Sequence, residues 1–97
     1  MNMNTLGLCR KAGRLIYGFD AVLDELAKPN NKGAGILLAS DLSPKTRKEL
    51  VFRLTALGSS IPVIDTEQDM ERISRILGKR SGIILITDEG LFRSLCK

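Results

Sequence analysis

Short, continuous apolar runs alternate along this chain with stretches in which apolar residues recur every three or four positions. The first kind reads as buried strand and the second as amphipathic helix. Leu6, Leu8, Cys9 and Ala12 form the stripe of a first helix, with Asn4 placed to cap its start and Gly13 to stop it. "RLIYG" is a brief strand. Phe19 to Ala27 reads as a second helix with Val22, Leu23 and Leu26 facing inward, and "KPNNKG" is a loop by composition. "GAGILLAS" is apolar on both faces, the pattern of a strand covered on both sides. Ser43 and Pro44 then open a helix as N-cap and first helical residue, with Leu50, Val51, Leu54 and Leu57 expected inside and Gly58 at its end. "IPVID" is a short strand, Thr66 and Asp69 resemble a capping box, and Met70, Ile73, Ile76 and Leu77 supply the buried stripe of the next helix before Gly78. "GIILIT" is the last strand, and Asp88 caps a final helix bearing Leu91, Phe92 and Leu95.

Strands alternating with helices give an α/β sandwich, a small central sheet with helices on both faces. The first strand is too short for its direction to be read, which leaves a mixed sheet open. Residues 1–97 are expected to form a single domain, since a chain of this size buries ~65% of its unfolded surface and sustains one core. No apolar run approaches the ~20 residues that span a bilayer, and "MNMNTLGLCRKAG" lacks the order of a signal peptide. The expectation is a cytoplasmic protein without a membrane partner.

Composition narrows the chemistry. The chain has no His, which removes the commonest general base and metal ligand together. Cys9 and Cys96 lie far apart without a Cys-x-x-Cys spacing and read as two buried thiols. No Trp is present and Tyr17, Phe19, Phe52 and Phe92 are the aromatics, a poor supply for base stacking. The net charge of +4 tilts the odds only slightly toward a polyanionic partner. "GAGILL" is no phosphate loop, Asp41 has no acidic pair beside which magnesium would sit, and no nucleophile has an activating base. The reading is therefore a non-enzyme, without cofactor, metal or small-molecule substrate.

Three basic segments remain. In "SDLSPKTRKEL", Lys45, Arg47 and Lys48 fall early in a helix, where the dipole disfavours each cation by ~0.3–1 kcal/mol. Either they meet an external anion, or Lys45 pairs with Glu49 while Asp41 offsets the rest. In "RILGKRSG", Lys79, Arg80 and Ser81 lie between two glycines, with Arg72 and Arg75 behind them and Glu71 spaced to pair with Arg75. In "CRKAGRLIYGFDAVLDE", Arg10, Lys11 and Arg14 precede a helix that opens at Gly18 with Phe19 and Asp20. Asp20 serves as a capping carboxylate, or as an acceptor for base edges.

Taken in order, "LGLCRKAGRLIYG", "GILLASDLSPKTRKEL", "IPVIDT" and "RILGKRSGIILITDEGLFRSL" resemble the kink-turn-binding ribosomal protein superfamily of archaeal and eukaryotic large-subunit type, in particular its short bacterial YlxQ-like branch. The resemblance runs from Leu6 to Leu95. It implies a three-layer α/β/α sandwich around a mixed four-stranded sheet. It also implies a partner in structured RNA, ribosomal RNA included, typically a bent internal loop with tandem sheared G·A pairs. The family's turn into the second helix reads Gly, any residue, a polar or acidic residue, Glu, two variable positions and Lys. Gly18 and Asp20 match it. Ala21 stands where the wider superfamily has Glu, and Asp24 where it has Lys. That exchange alters the charge beside phosphates by two units, at a cost of ~2 kcal/mol, unless Asp24 turns away to pair with Lys28.

The basic segments and the resemblance together give as expected RNA-facing residues Lys11, Arg14, Gly18, Phe19, Asp20, Lys45, Lys48, Lys79, Arg80 and Ser81. The competing reading is a protein-interaction or ribosome-associated module on the same fold, with kink-turn binding weakened or lost and an exposed Phe19 as its anchor.

Overall fold

The computed structural model describes residues 1–97. Its order is α1 (Met3–Lys11), β1 (Leu15–Tyr17), α2 (Phe19–Leu26), β2 (Gly35–Leu38), α3 (Pro44–Ala56), β3 (Val63–Asp65), α4 (Met70–Leu77), β4 (Ile83–Ile86) and α5 (Glu89–Leu95). The four strands make one sheet in the order β1-β4-β2-β3. β4 runs antiparallel to both β1 and β2, while β2 and β3 are parallel. The sheet is mixed.

The two central strands are apolar throughout because both their faces are covered. Alternation along each strand divides its side chains between two cores. Leu37, Ile84 and Ile86 face α1, α4 and α5, joining Leu6, Cys9, Ile73, Leu77, Phe92 and Leu95. Ile36, Leu38, Ile83 and Leu85 face α2 and α3, joining Val22, Leu23, Leu50 and Leu54. Three helices, a sheet and two helices form the α/β/α sandwich. No helix is long and apolar enough to cross a membrane.

Several local expectations need correction. The first helix is capped by Asn2, whose side chain accepts from the amides of Asn4 and Thr5, so Asn4 is a helical residue rather than the cap. Leu8, at 56% exposure, points away from the core. Val51 and Leu57 are exposed as well, because α3 overlies a narrow sheet and only its Leu50–Leu54 stripe reaches it. Thr66 and Asp69 do not form one capping box. Asp69 alone caps α4 through the Arg72 amide, while the buried Thr66 hydroxyl donates to the Leu38 carbonyl at 2.8 Å. Of the two thiols only Cys9 is buried; Cys96 is exposed at the end of α5. Burial raises the Cys9 thiol pKa, with a smaller push in the same direction from the Asp88 charge.

Candidate nucleic-acid interface

The strand register gathers segments that are far apart in sequence. Tyr17 pairs with Ile84, Leu38 with Ile83, and Leu38 with Asp65. One edge of the sheet therefore carries the ends of β1, β2 and β3 and the start of β4. Backbone bonds tie the connecting loops together there. The Gly18 amide donates to the Ile83 carbonyl at 3.0 Å, the Ala39 amide to Gly82 at 2.9 Å and the Ser40 amide to Gln68 at 2.8 Å. Asp41 accepts from the Met70 amide at 2.9 Å, stitching the loop after β2 to the start of α4.

Gly18 is the N-cap of α2 with φ of 102°, a conformation that side-chain-bearing residues seldom adopt. No side chain accepts from the first amides of the helix, so Asp20 makes no capping hydrogen bond, although it stands in the first turn where its charge suits the helix dipole. It is exposed beside a helix start whose first amides have no side-chain acceptor. Phe19 is half-buried and packs on the core beneath α2 and α3, which corrects the expectation of an exposed aromatic. It also lines an open depression of about 480 Å³ with Lys45, Thr46 and Glu49. The structure thus brings Lys45 to the turn at Gly18–Asp20. Lys48, a turn further along α3, is exposed.

Arg47 behaves differently from its two basic neighbours. Its guanidinium grips Asp65 with both arms, at 3.0 and 2.7 Å. One of the three early cations of α3 therefore meets an anion within the chain, and the spacing with Glu49 is not used by Lys45 for an ion pair. The hydrogen bond from Arg47 holds the Asp65 carboxyl below its ordinary pKa against the opposing effect of burial, with a lesser contribution from the Arg47 charge.

On the other side of the Gly18 turn lies the loop between α4 and β4. Gly78 ends α4 in the left-handed conformation, φ 78°, and Lys79 and Arg80 stand exposed. Ser81 does not offer its hydroxyl outward as expected. It is 9% exposed, and its Oγ donates to the Ile83 carbonyl and accepts from the Ile83 amide. Ser81 shapes the loop that presents the two cations. Gly82 lets that loop pack closely, since a Cβ there would fall 2.9 Å from Leu42 and 3.3 Å from the Met70 sulfur. Glu71 and Arg75 form the expected pair at 3.3 Å.

Lys11 and Arg14 are not brought to the Gly18 turn. Arg14 precedes β1, and its carbonyl accepts from the Thr87 amide at the opposite end of the sheet. Three strand residues, ~10 Å of chain, separate it from Gly18. Lys11 lies on α1 with Arg10, across from Ile76 of α4. Asp24 is exposed one turn beyond Asp20 and does not pair with Lys28, which bonds Glu25 at 3.1 Å. Sequence reading missed the structural duties of Asp41, Asp65 and Thr66. Each is a polar residue at or just beyond a strand end, the one signal that marked them.

The model of the ribosomal protein L7Ae/L30e/S12e/Gadd45 family matches residues 2–95. Among solved structures, the chain is similar to one described as a protein with unknown function from Bacillus halodurans. The identity is 27%, the TM-score 0.76, and the match covers 95% of this chain and 89% of that one. Comparison with curated proteins gives no match.

Proposed function

The chain belongs to the ribosomal protein L7Ae/L30e/S12e/Gadd45 family, and from that premise we propose that it binds a kink-turn-like structured RNA at the sheet edge around Gly18. RNA binding of ribosomal type follows from the family; the bent loop as target and the residues that meet it are our reading. Within the family, we assign the chain to the YlxQ-like branch on the segments quoted above.

The observation that carries the reading is the 3.0 Å bond from the Gly18 amide to the Ile83 carbonyl. It fixes the open start of α2 against the loop bearing Lys79 and Arg80, with Lys45 on the far flank. Phosphates meet free amides and cations on such a surface, while Asp20, an acceptor only, selects the amino and imino edges of guanine. A sharply bent loop presents both kinds of group within one small surface. The action is recognition of shape and charge, with no bond made or broken.

A titration of the purified protein against a kink-turn RNA and the same duplex without G·A pairs, at two salt concentrations, tests this. A preference for the kink-turn that persists at the higher salt supports it; equal, steeply salt-dependent binding to both overturns shape recognition. In the same assay Asp20→Ala reduces discrimination between matched and mismatched loops, whereas Lys79→Ala weakens all RNAs alike. One observation favours a second reading, a protein-interaction module: Asp24 stands exposed and unpaired where the family has Lys. Absence of binding to either RNA would select it.

A further inference from the structure

We propose that a groove between α1 and α4 is a second phosphodiester site, holding the duplex arm that continues from the bent loop; this rests on the RNA-binding reading above. The groove is an open channel of about 470 Å³ lined by Gly7, Arg10, Lys11 and Ile76. It is joined to the first site by Arg10, whose guanidinium lies 3.4 Å from the place a Gly78 Cβ would occupy, next to Lys79.

Two independent observations point to an external anion. The first is charge without partners. Arg10, Lys11, Arg72, Lys79 and Arg80 take part in none of the five ion pairs of the chain. Arg72 falls one turn before Ile76, on the same stripe of α4. α1 contains no carboxylate, and Glu71 of α4 is occupied by Arg75. Two helix C-termini end nearby, but together they supply only about one negative charge, against Arg10, Lys11 and Arg72 with Lys79 and Arg80 of the first site alongside.

The second observation is Gly7. It sits inside α1, where glycine is a poor helix former, and nothing in the chain lies within 4 Å of where its Cβ would be. No internal packing requires a glycine there. A backbone left bare on the floor of a cationic groove admits close approach from outside, as a sugar-phosphate chain demands.

The test uses the full chain and two RNAs, a kink-turn with short stems and one with a stem extended by roughly one helical turn of base pairs. Wild type is expected to bind the extended RNA more tightly. The Arg10→Gln/Lys11→Gln double variant should lose roughly tenfold affinity for the extended RNA, and its slope of log K against log salt should fall by about 2. Binding to the short RNA should fall far less, by about twofold at most at moderate salt, where charges outside the contact are screened. Gly7→Gln should give the same selective loss while melting no lower than wild type, which separates blockage of the groove from damage to the fold. Equal affinity of wild type for both RNAs, or equal effects of the variants on both, overturns the groove and leaves the first site standing. Failure of wild type to bind either RNA removes the RNA reading and the groove with it.

Discussion

At Asp24 a carboxylate projects from α2 one turn beyond Asp20, with no cation in ion-pair contact. If the bent loop lies on the start of α2, that charge opposes its phosphates. Asp24→Lys should then tighten kink-turn binding at least about tenfold at low salt, since 1.4 kcal/mol is a factor of ten, and Asp24→Asn should recover part of it. Filter binding with the two RNAs of the main titration measures both; unchanged affinity would put Asp24 off the RNA path. Gly7 offers a contrast, because its effect on stability belongs to the free protein. With open space around the missing Cβ, Gly7→Ala should raise unfolding stability by ~0.5–1 kcal/mol, read from the urea midpoint at constant m-value. A loss of stability would mean that the glycine answers an internal constraint.

Among the elements, the strands and helices were legible because each announces itself over a short window. β2 and β4 are unbroken apolar runs, α2 and α4 carry clean stripes, and Ser43, Asp69 and Asp88 each stand at an N-cap. Errors arose where the answer depends on a neighbour. Asn2 and Asn4 are equally good caps in isolation, and Val51 is a plausible core residue until the width of the sheet is known. The seat of Phe92 is likewise invisible in the sequence. Its ring covers Gly35 at the head of β2, and a Cβ at that position would overlap the ring. Gly35→Ala should therefore destabilise the protein by ~1–3 kcal/mol through overpacking. Phe92→Leu in the same chain should return part of that loss, so the double variant will be more stable than the sum of the two single changes implies. Additive effects in chemical denaturation would show that the strand shifts to accommodate the methyl group.

At the scale of the whole molecule, the candidate site is a product of register. Gly18, Lys45 and Lys79 each stand out in the sequence as candidates to face an anion, but nothing in their local sequence says that β1 lies beside β4 and that one sheet edge unites them, or that Arg14 falls at the other. The same long-range order explains how the sheet's outer strand is held. β3 has three residues and pairs only with β2, and two ion pairs fasten it. Arg47 of α3 grips Asp65 within the strand, and the Met1 ammonium bonds Glu67 just beyond it at 2.8 Å. The hydrogen bond from that ammonium, with smaller ones from its own backbone and Gln68, lowers the Glu67 pKa to about 2. Asp65 is shifted the same way by Arg47. A carboxylate with a depressed folded pKa contributes stability that is fully present above its unfolded value and is lost as pH falls toward the folded one. For Glu67 that window runs from 4.5 down to about 2. Melting temperature should hold steady above pH 4.5 and fall progressively below it, and added salt should reduce the slope because both pairs are exposed. Glu67→Gln and Asp65→Asn should each flatten part of the acid limb, and the double variant most of it. An unchanged limb in the double variant would mean that other carboxylates govern acid unfolding and that β3 is held by its ladder to β2 alone.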